Sequence, residues 1–188
     1  MISHDLLLDA YCRGIFPMAM EDGEIGWFSP DPRAVIALAD FHIPHGLKRA
    51  LRKKQFEIRF DTAFPRVMRE CAAREETWID EEIIGSYCEL HRLGHAHSVE
   101  AWVGERLVGG LYGLAIGGIF FGESMFHRET DASKVALCAL VERLRKNGFQ
   151  LLEVQWLTPH LQAFGAVEIP RAEYLALLRR CIREQCRF

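Results

Sequence analysis

HSVEAWVGERLVGGLYGLAIGGIFFGESMF, residues 97–126, decides the fold. Turn signals at Gly104–Glu105 and Gly117–Gly118 cut it into three runs rich in Val, Ile, Phe and Gly. Branched and aromatic side chains suit a pleated surface, and tight glycine turns join neighbouring strands antiparallel. The stretch predicts three consecutive strands. A helix is expected over 132–146, with Leu137, Leu140, Val141 and Leu144 inward and Gly148 ending it. Residues 150–156 read as a strand, 159–164 as a short helix, and Arg171 to about Cys186 as a last helix. The class is α+β, a mixed sheet with flanking helices. The order is compatible with an acyltransferase fold of the N-acetyltransferase type, which by itself does not fix function.

Upstream, Phe56–Phe60 alternates as a strand, and Asp61 is expected to cap a helix that buries Phe64, Val67, Met68 and Cys71. Pro65 sits in its first turn, where proline does least harm. Asp80 caps the next helix, which runs to about Leu93 and ends at Gly94, with Ile79 and Ile84 as a hydrophobic staple. The first sixty residues differ. Turn signals at Gly14–Pro17, Pro30–Pro32 and Pro44–Gly46 interrupt them around one short strand near Val35. A basic helix follows over 46–55, with Leu47, Ala50 and Leu51 on one face and Lys48, Arg49, Arg52, Lys53 and Lys54 around the rest. The expected division is a small N-terminal domain over 1–60, carrying the basic helix, and a catalytic domain over 61–188.

The chain has 188 residues, 49% of them hydrophobic, and a net charge of -3, which suits one packed core and argues against disorder. A nucleic acid would feel the local basic helix rather than the whole protein. Six cysteines without CxxC spacing read as reduced core thiols. His91, His95 and His97 are neighbours in sequence, but they fall on a helix end, a turn and a strand start, and lack a fourth zinc ligand. No secretory signal and no run of about 18 apolar residues is present, so the cytoplasm is the expected location.

Taken in order, YCRGIFPM (11–18), WFSPDPRAVI (27–36), TWI (77–79), HRLGHAHSVEAW (91–102), LVGGLYG (107–113), FFGESMFHR (120–128), DASKVAL (131–137) and VQWLTPHLQAFGAVEIPR (154–171) resemble the leucyl/phenylalanyl-tRNA–protein transferase family. The resemblance implies transfer of Leu or Phe, more weakly Met, from aminoacyl-tRNA to a protein beginning with Arg or Lys. It implies that the product is marked for degradation by the bacterial N-end pathway. An N-acetyltransferase-like domain with a small N-terminal domain is implied, and no metal or dissociable cofactor. Two positions depart from the family pattern. Glu153 stands for an Asp, and His127 for a small residue, commonly Ser.

The reaction is aminolysis of an activated ester, which needs a positioned neutral amine, a steadied oxyanion and a proton acceptor. Glu123, after Gly122 on an apolar strand, is the candidate to hold the cationic acceptor. A solvent-facing strand residue is the plain alternative. Glu153 and Gln155, at i and i+2, are expected on one strand face, and the resemblance implies a relay in which the carboxylate polarises the amide, which receives or orients the amine proton. The donor side chain needs an apolar pocket, for which Met125, Phe120, Phe121, Leu111 and Tyr112 are candidates, with Gly110 and Gly122 leaving room and Ser124 adding a polar contact. Each could equally be strand core. Trp27 and Trp102 match family tryptophans, and one is a candidate to stack on the terminal adenine. Lys48, Arg49, Arg52, Lys53 and Lys54 form the candidate tRNA contact, or an ordinary solvated helix face. An acetyl-CoA-dependent acetyltransferase is the rival enzyme. Its glycine-rich pyrophosphate loop is missing from HRETDASKVAL (127–137). A non-enzymatic RNA-binding module is the second rival, and it leaves Glu123, Glu153 and Gln155 unused.

Overall fold

The three expected strands form β5 (Ala96–Val103), β6 (Arg106–Ile116) and β7 (Ile119–His127), each antiparallel to the next. The computed structural model describes all residues 1–188. Alternation along the strands sends Leu107, Tyr112, Leu114 and Phe121 to one face and Val108, Leu111 and Phe120 to the other. Each face carries its own core, of 25 and 22 buried residues, so the sheet is covered on both sides. One core takes in α1 (His4–Cys12), α3 (Phe64–Ala72), α4 (Glu81–Arg92) and α7 (Arg171–Cys181). The other takes in α2 (Leu47–Lys53) and α5 (Ala132–Lys146), with the four-residue α6 (Pro159–Gln162) packed at its margin.

Four further strands complete a seven-stranded mixed sheet in the order β4-β5-β6-β7-β8-β3-β9, with β4 at Glu57–Phe60, β8 at Leu151–Gln155, β3 at Arg33–Ala37 and β9 at Val167–Ile169. Its only parallel pair is β7 with β8, joined through α5. β1 (Phe16–Ala19) and β2 (Ile25–Phe28) form a separate hairpin. The meander, the crossover helix and the returning strand follow the expected N-acetyltransferase-type order. β3 and β4 both precede residue 61, so the stretch read as a small N-terminal unit supplies two strands of the main sheet.

The start of α3 differs from expectation. Asp61 has φ +59 and caps nothing. Its carboxylate accepts the Ser98 N–H at 2.9 Å and lies 2.9 Å from His97 Nδ1. Glu100, fully buried on β5, takes the orphan donors instead: the Thr62 and Ala63 N–H groups at 2.9 and 2.8 Å. It also accepts from Ser98 Oγ at 2.8 Å, from Trp102 Nε1 at 3.2 Å and from the Thr62 hydroxyl. A buried carboxylate persists only when its lone pairs are used in this way. Glu100→Gln puts an NH2 among donors. Urea denaturation should show a loss of about 2 kcal/mol or more, and an unchanged midpoint would mean that this network adds no stability.

Candidate active site

β7 and β8 pair through Ile119–Leu151, Phe120–Leu152 and Phe121–Glu153, and there the ladder stops. Both strands continue beyond that point, to His127 and Gln155. Each also carries a bulge where they part. On β7, Gly122 faces Gly113 and Ser124 faces Tyr112, so Glu123 is the extra residue. On β8, Glu153 faces Val35 and Gln155 faces Ala34, so Val154 is extra, and Gln155 turns to φ +58. A bulge takes a residue out of the ladder and re-aims its neighbours. Gly113 is required by this geometry, since a Cβ there would stand 2.1 Å from the Phe121 carbonyl oxygen.

The two bulges bring Glu123 and Gln155 together. The Gln155 Nε2 donates to Glu123 Oε1 at 3.1 Å, and the Tyr11 hydroxyl donates to the same oxygen at 2.8 Å. Tyr11, from α1, is in turn hydrogen-bonded to the Tyr87 hydroxyl of α4. Burial pushes the Glu123 carboxyl up to about 8, reinforced by the charge of Glu153 and opposed by Tyr11, Arg33 and Gln155. One side of Glu123 still opens to a cavity, so it is reachable.

Glu153 sits differently from its expected place. It is fully buried and lines no cavity described here. Its Oε1 accepts from Arg33 Nε at 2.7 Å and from the Gln155 main-chain N–H at 2.6 Å, rather than meeting the Gln155 side-chain amide. The bulge breaks the simple i, i+2 alternation on which that relay depended. Arg33, from β3, also donates to the Gly14 carbonyl at 3.0 Å and lies between the rings of Phe16 and Tyr174, at 4.8 and 4.5 Å from their centroids. Burial raises the Glu153 carboxyl, with Arg33 the chief opposing influence. Arg33 cannot give up its proton, so a fixed positive charge sealed from water faces Glu153 and favours its ionised form.

An apolar cavity of about 100 Å³ opens from this point, lined by Leu111, Tyr112, Gly122, Ser124 and Met125 from the expected set. Leu137, Leu140, Leu152, Val154 and Leu161 also line it, none of them named as a pocket candidate from the sequence, where Leu137 and Leu140 read only as the inward face of a helix. Phe120 and Phe121 are core on opposite sheet faces, and Gly110 packs on the Val99 carbonyl. A larger cavity of about 410 Å³ shares Glu123, Ser124, Met125 and Gln155. Its aromatic walls are Phe16, Trp78 and Trp156, not the expected Trp27 or Trp102. Trp102 is buried beside Glu100 under Arg59, and Trp27 lies 40% exposed on the hairpin. Trp78 lies in TWI (77–79) and Trp156 in VQWLTPHLQAFGAVEIPR (154–171), both quoted above. Arg74 also lines it and donates to Ser124 Oγ at 2.7 Å.

The five cations of α2 and its C-cap, Lys48, Arg49, Arg52, Lys53 and Lys54, are all exposed and enter no ion pair. None of them lines either cavity that holds Glu123. No three His, Cys, Asp or Glu side chains are grouped to hold a metal ion, and no helix is long and apolar enough to cross a membrane.

The family model described as leucyl/phenylalanyl-tRNA protein transferase matches residues 35–179, and that of its N-terminal domain matches residues 1–31. The chain belongs to the leucyl/phenylalanyl-tRNA protein transferase family. A relative of that name from Akkermansia muciniphila is 59% identical over 98% of both chains. Another, from Herpetosiphon aurantiacus, is 56% identical over 97% of this chain and 95% of its own. The protein is therefore an aminoacyltransferase by family. Removing one member of the sealed pair tests how the cleft is held. Glu153→Gln should lose about 3–5 kcal/mol in urea denaturation, because Arg33 is left buried without a counter-charge. The double change Arg33→Met with Glu153→Leu should recover most of that loss, and equal losses in both would rule out this account.

Proposed function

We propose that the protein transfers Leu or Phe, more weakly Met, from aminoacyl-tRNA to the N-terminal Arg or Lys of an acceptor protein in the cytoplasm. Such a product would be marked for N-end degradation. The observation that carries this reading is the meeting of Glu123 and Gln155 at the mouth of an apolar pocket. The pocket volume of about 100 Å³ is on the scale of one aliphatic side chain; an apolar cavity of about 150 Å³ admits benzene. Its opening into the larger cavity gives a phenyl ring room. Apolar walls separate such side chains well from polar ones and poorly from one another.

In this reading the ester carbonyl lies beside Ser124, and the terminal adenosine stacks on Trp78 or Trp156. Arg74 donates to Ser124 Oγ, which leaves the serine proton free for the developing oxyanion. The acceptor α-amine enters beside Glu123, the only acidic residue lining the larger cavity. Its nitrogen attacks the carbonyl carbon, its proton passes to Glu123, and the ribose oxygen leaves and takes up a proton. One amide bond forms as one ester bond breaks. The α-amine titrates at about 7.7–8.0, and Glu123 at about 8, so the proton crosses between groups of matched affinity. Gln155 gives its N–H to Glu123, and its carbonyl orients the amine. Glu153 is a positioning residue that fixes the Gln155 backbone.

Incubation with Leu-tRNA or Phe-tRNA and peptides beginning Arg, Lys or Ala, followed by mass spectrometry, tests the activity. One added residue on the Arg and Lys peptides alone is expected, and acetylation with acetyl-CoA in its place would overturn the reading. The pH profile tests Glu123. The accepting carboxylate and the attacking neutral amine both form as pH rises through about 8, so log kcat/KM should climb with a slope near two and level off above that pH. In Glu123→Gln the limb should belong to the amine alone, with a slope near one, and the plateau should lie lower by about 100-fold or more. A limb of unchanged slope in this variant would remove Glu123 from the role.

A further inference from the structure

Between the reaction centre and the basic helix lies a cavity of about 350 Å³ that neither site uses. It shares Met125 and His160 with the larger cavity at the reaction centre. On its other side it shares Thr130 and Asp131 with a shallow hollow lined by Arg49 and Lys53 of α2. The three hollows form one track from the cationic helix to Glu123. The middle one is almost wholly polar, with Met125 its single apolar residue.

Its donors are His127, Ser133, Lys134 and His160. His127, Lys134 and His160 line the cavity together, and burial, Lys134 and His127 lower the proton affinity of His160. His160 Nε2 is buried and no protein group pairs with it. An unpaired buried donor or acceptor is costly to keep and calls for a partner such as a water or an ion. The cavity also sits at the N-terminal end of the fifteen-residue α5, which no side chain caps and whose dipole adds positive potential. The one opposing charge is Asp131, whose Oδ1 holds Lys134 Nζ at 2.8 Å.

We infer that this cavity binds a phosphodiester of the donor's single-stranded 3′ end, the one immediately 5′ to the terminal adenosine, with Lys134 as its main cation and His160 as its hydrogen-bond partner. The inference rests on the aminoacyl-tRNA donor proposed above. Adjacency decides which phosphate is held. The aminoacyl group fills the apolar pocket, the adenosine lies in the aromatic cavity, and the next linkage along the strand falls beyond Met125 and His160. Phosphate contacts fix register without reading bases, so the track would accept any tRNA 3′ end. The phosphodiester would draw Lys134 away from Asp131.

Three phenylalanyl donors separate this site from its neighbours: Phe-tRNA, the phenylalanyl ester of the dinucleotide CpA, and the phenylalanyl ester of adenosine alone. Only the first two carry the phosphodiester, and only the first reaches α2. For Lys134→Ala, the KM ratio of the CpA ester to the adenosine ester should rise about tenfold, the size of one charge-assisted hydrogen bond. Asp131→Asn removes the competing anion, and asparagine suits the left-handed backbone at this position (φ +68). That variant should move the ratio the opposite way. Arg49→Ala should instead shift the ratio of Phe-tRNA to the CpA ester. An unchanged ratio of CpA to adenosine ester in both Lys134→Ala and Asp131→Asn overturns the inference. Wild-type protein that transfers from none of the three donors overturns the donor class itself, and the inference with it.

Discussion

The separation of β7 from β8 after Phe121 and Glu153 is the constraint on which the site depends. A continuous ladder would bury every polar group between the strands and leave no place for a substrate. The two bulges end the ladder and turn Glu123 and Gln155 into the gap from opposite sides. The gap survives because the sheet is closed around it. β3 lies antiparallel along the far edge of β8, and β6 along the far edge of β7, so neither strand is free to drift back. Both faces of the sheet are sealed by packed cores.

Two glutamates share this region and are driven to different states by their partners. Glu153 faces Arg33, a fixed charge held between two aromatic rings. Glu123 faces only neutral donors, the Tyr11 hydroxyl and the Gln155 amide, and burial dominates. One carboxyl is thereby bound into structure and the other is left free to exchange a proton near neutrality. The N-terminal segment serves both. Tyr11 holds Glu123, Gly14 accepts from Arg33, and Phe16 covers the guanidinium. A helix and hairpin that look peripheral in the sequence therefore set the chemistry of the cleft.

The parts legible in the sequence were those written in local periodicity. The meander turns, the span of α5 and the Asp80 cap all lie where side-chain spacing and turn chemistry put them. The two polar groups that meet at the candidate site were legible too, since Glu123 and Gln155 are conspicuous in apolar strands. What stayed hidden depends on contacts far apart in the chain. Arg33 meets Glu153 across 120 residues, and Tyr11 meets Glu123 across 112. No local pattern carries such pairs. Bulges are equally silent, which is why LLEVQW at 151–156 reads as plain alternation although Val154 slips the register. Tryptophans are ambiguous for the same reason. A large aromatic is as apt for a core as for a wall, and only the fold sends Trp78 and Trp156 to the cavity and Trp102 beneath Arg59.

A raised Glu123 affinity for protons also reconciles two demands that conflict at first sight. A polyanionic donor must enter a cleft that holds a carboxyl group, and a cationic acceptor must then give up a proton there. At pH 7 a carboxyl titrating near 8 is mostly the neutral acid, so it offers the donor a hydrogen-bonding group instead of a repelling charge. Arrival of the acceptor ammonium favours the ionised form, because an opposite charge at short range stabilises it. The same group is then available as the proton acceptor in the step that follows. On the proposed path, cations from the α2 lysines and arginines to Lys134 would carry the donor's charge, and none is needed beside Glu123 itself. A carboxyl with the ordinary affinity would be ionised from the outset, and would oppose the donor while accepting the amine's proton poorly.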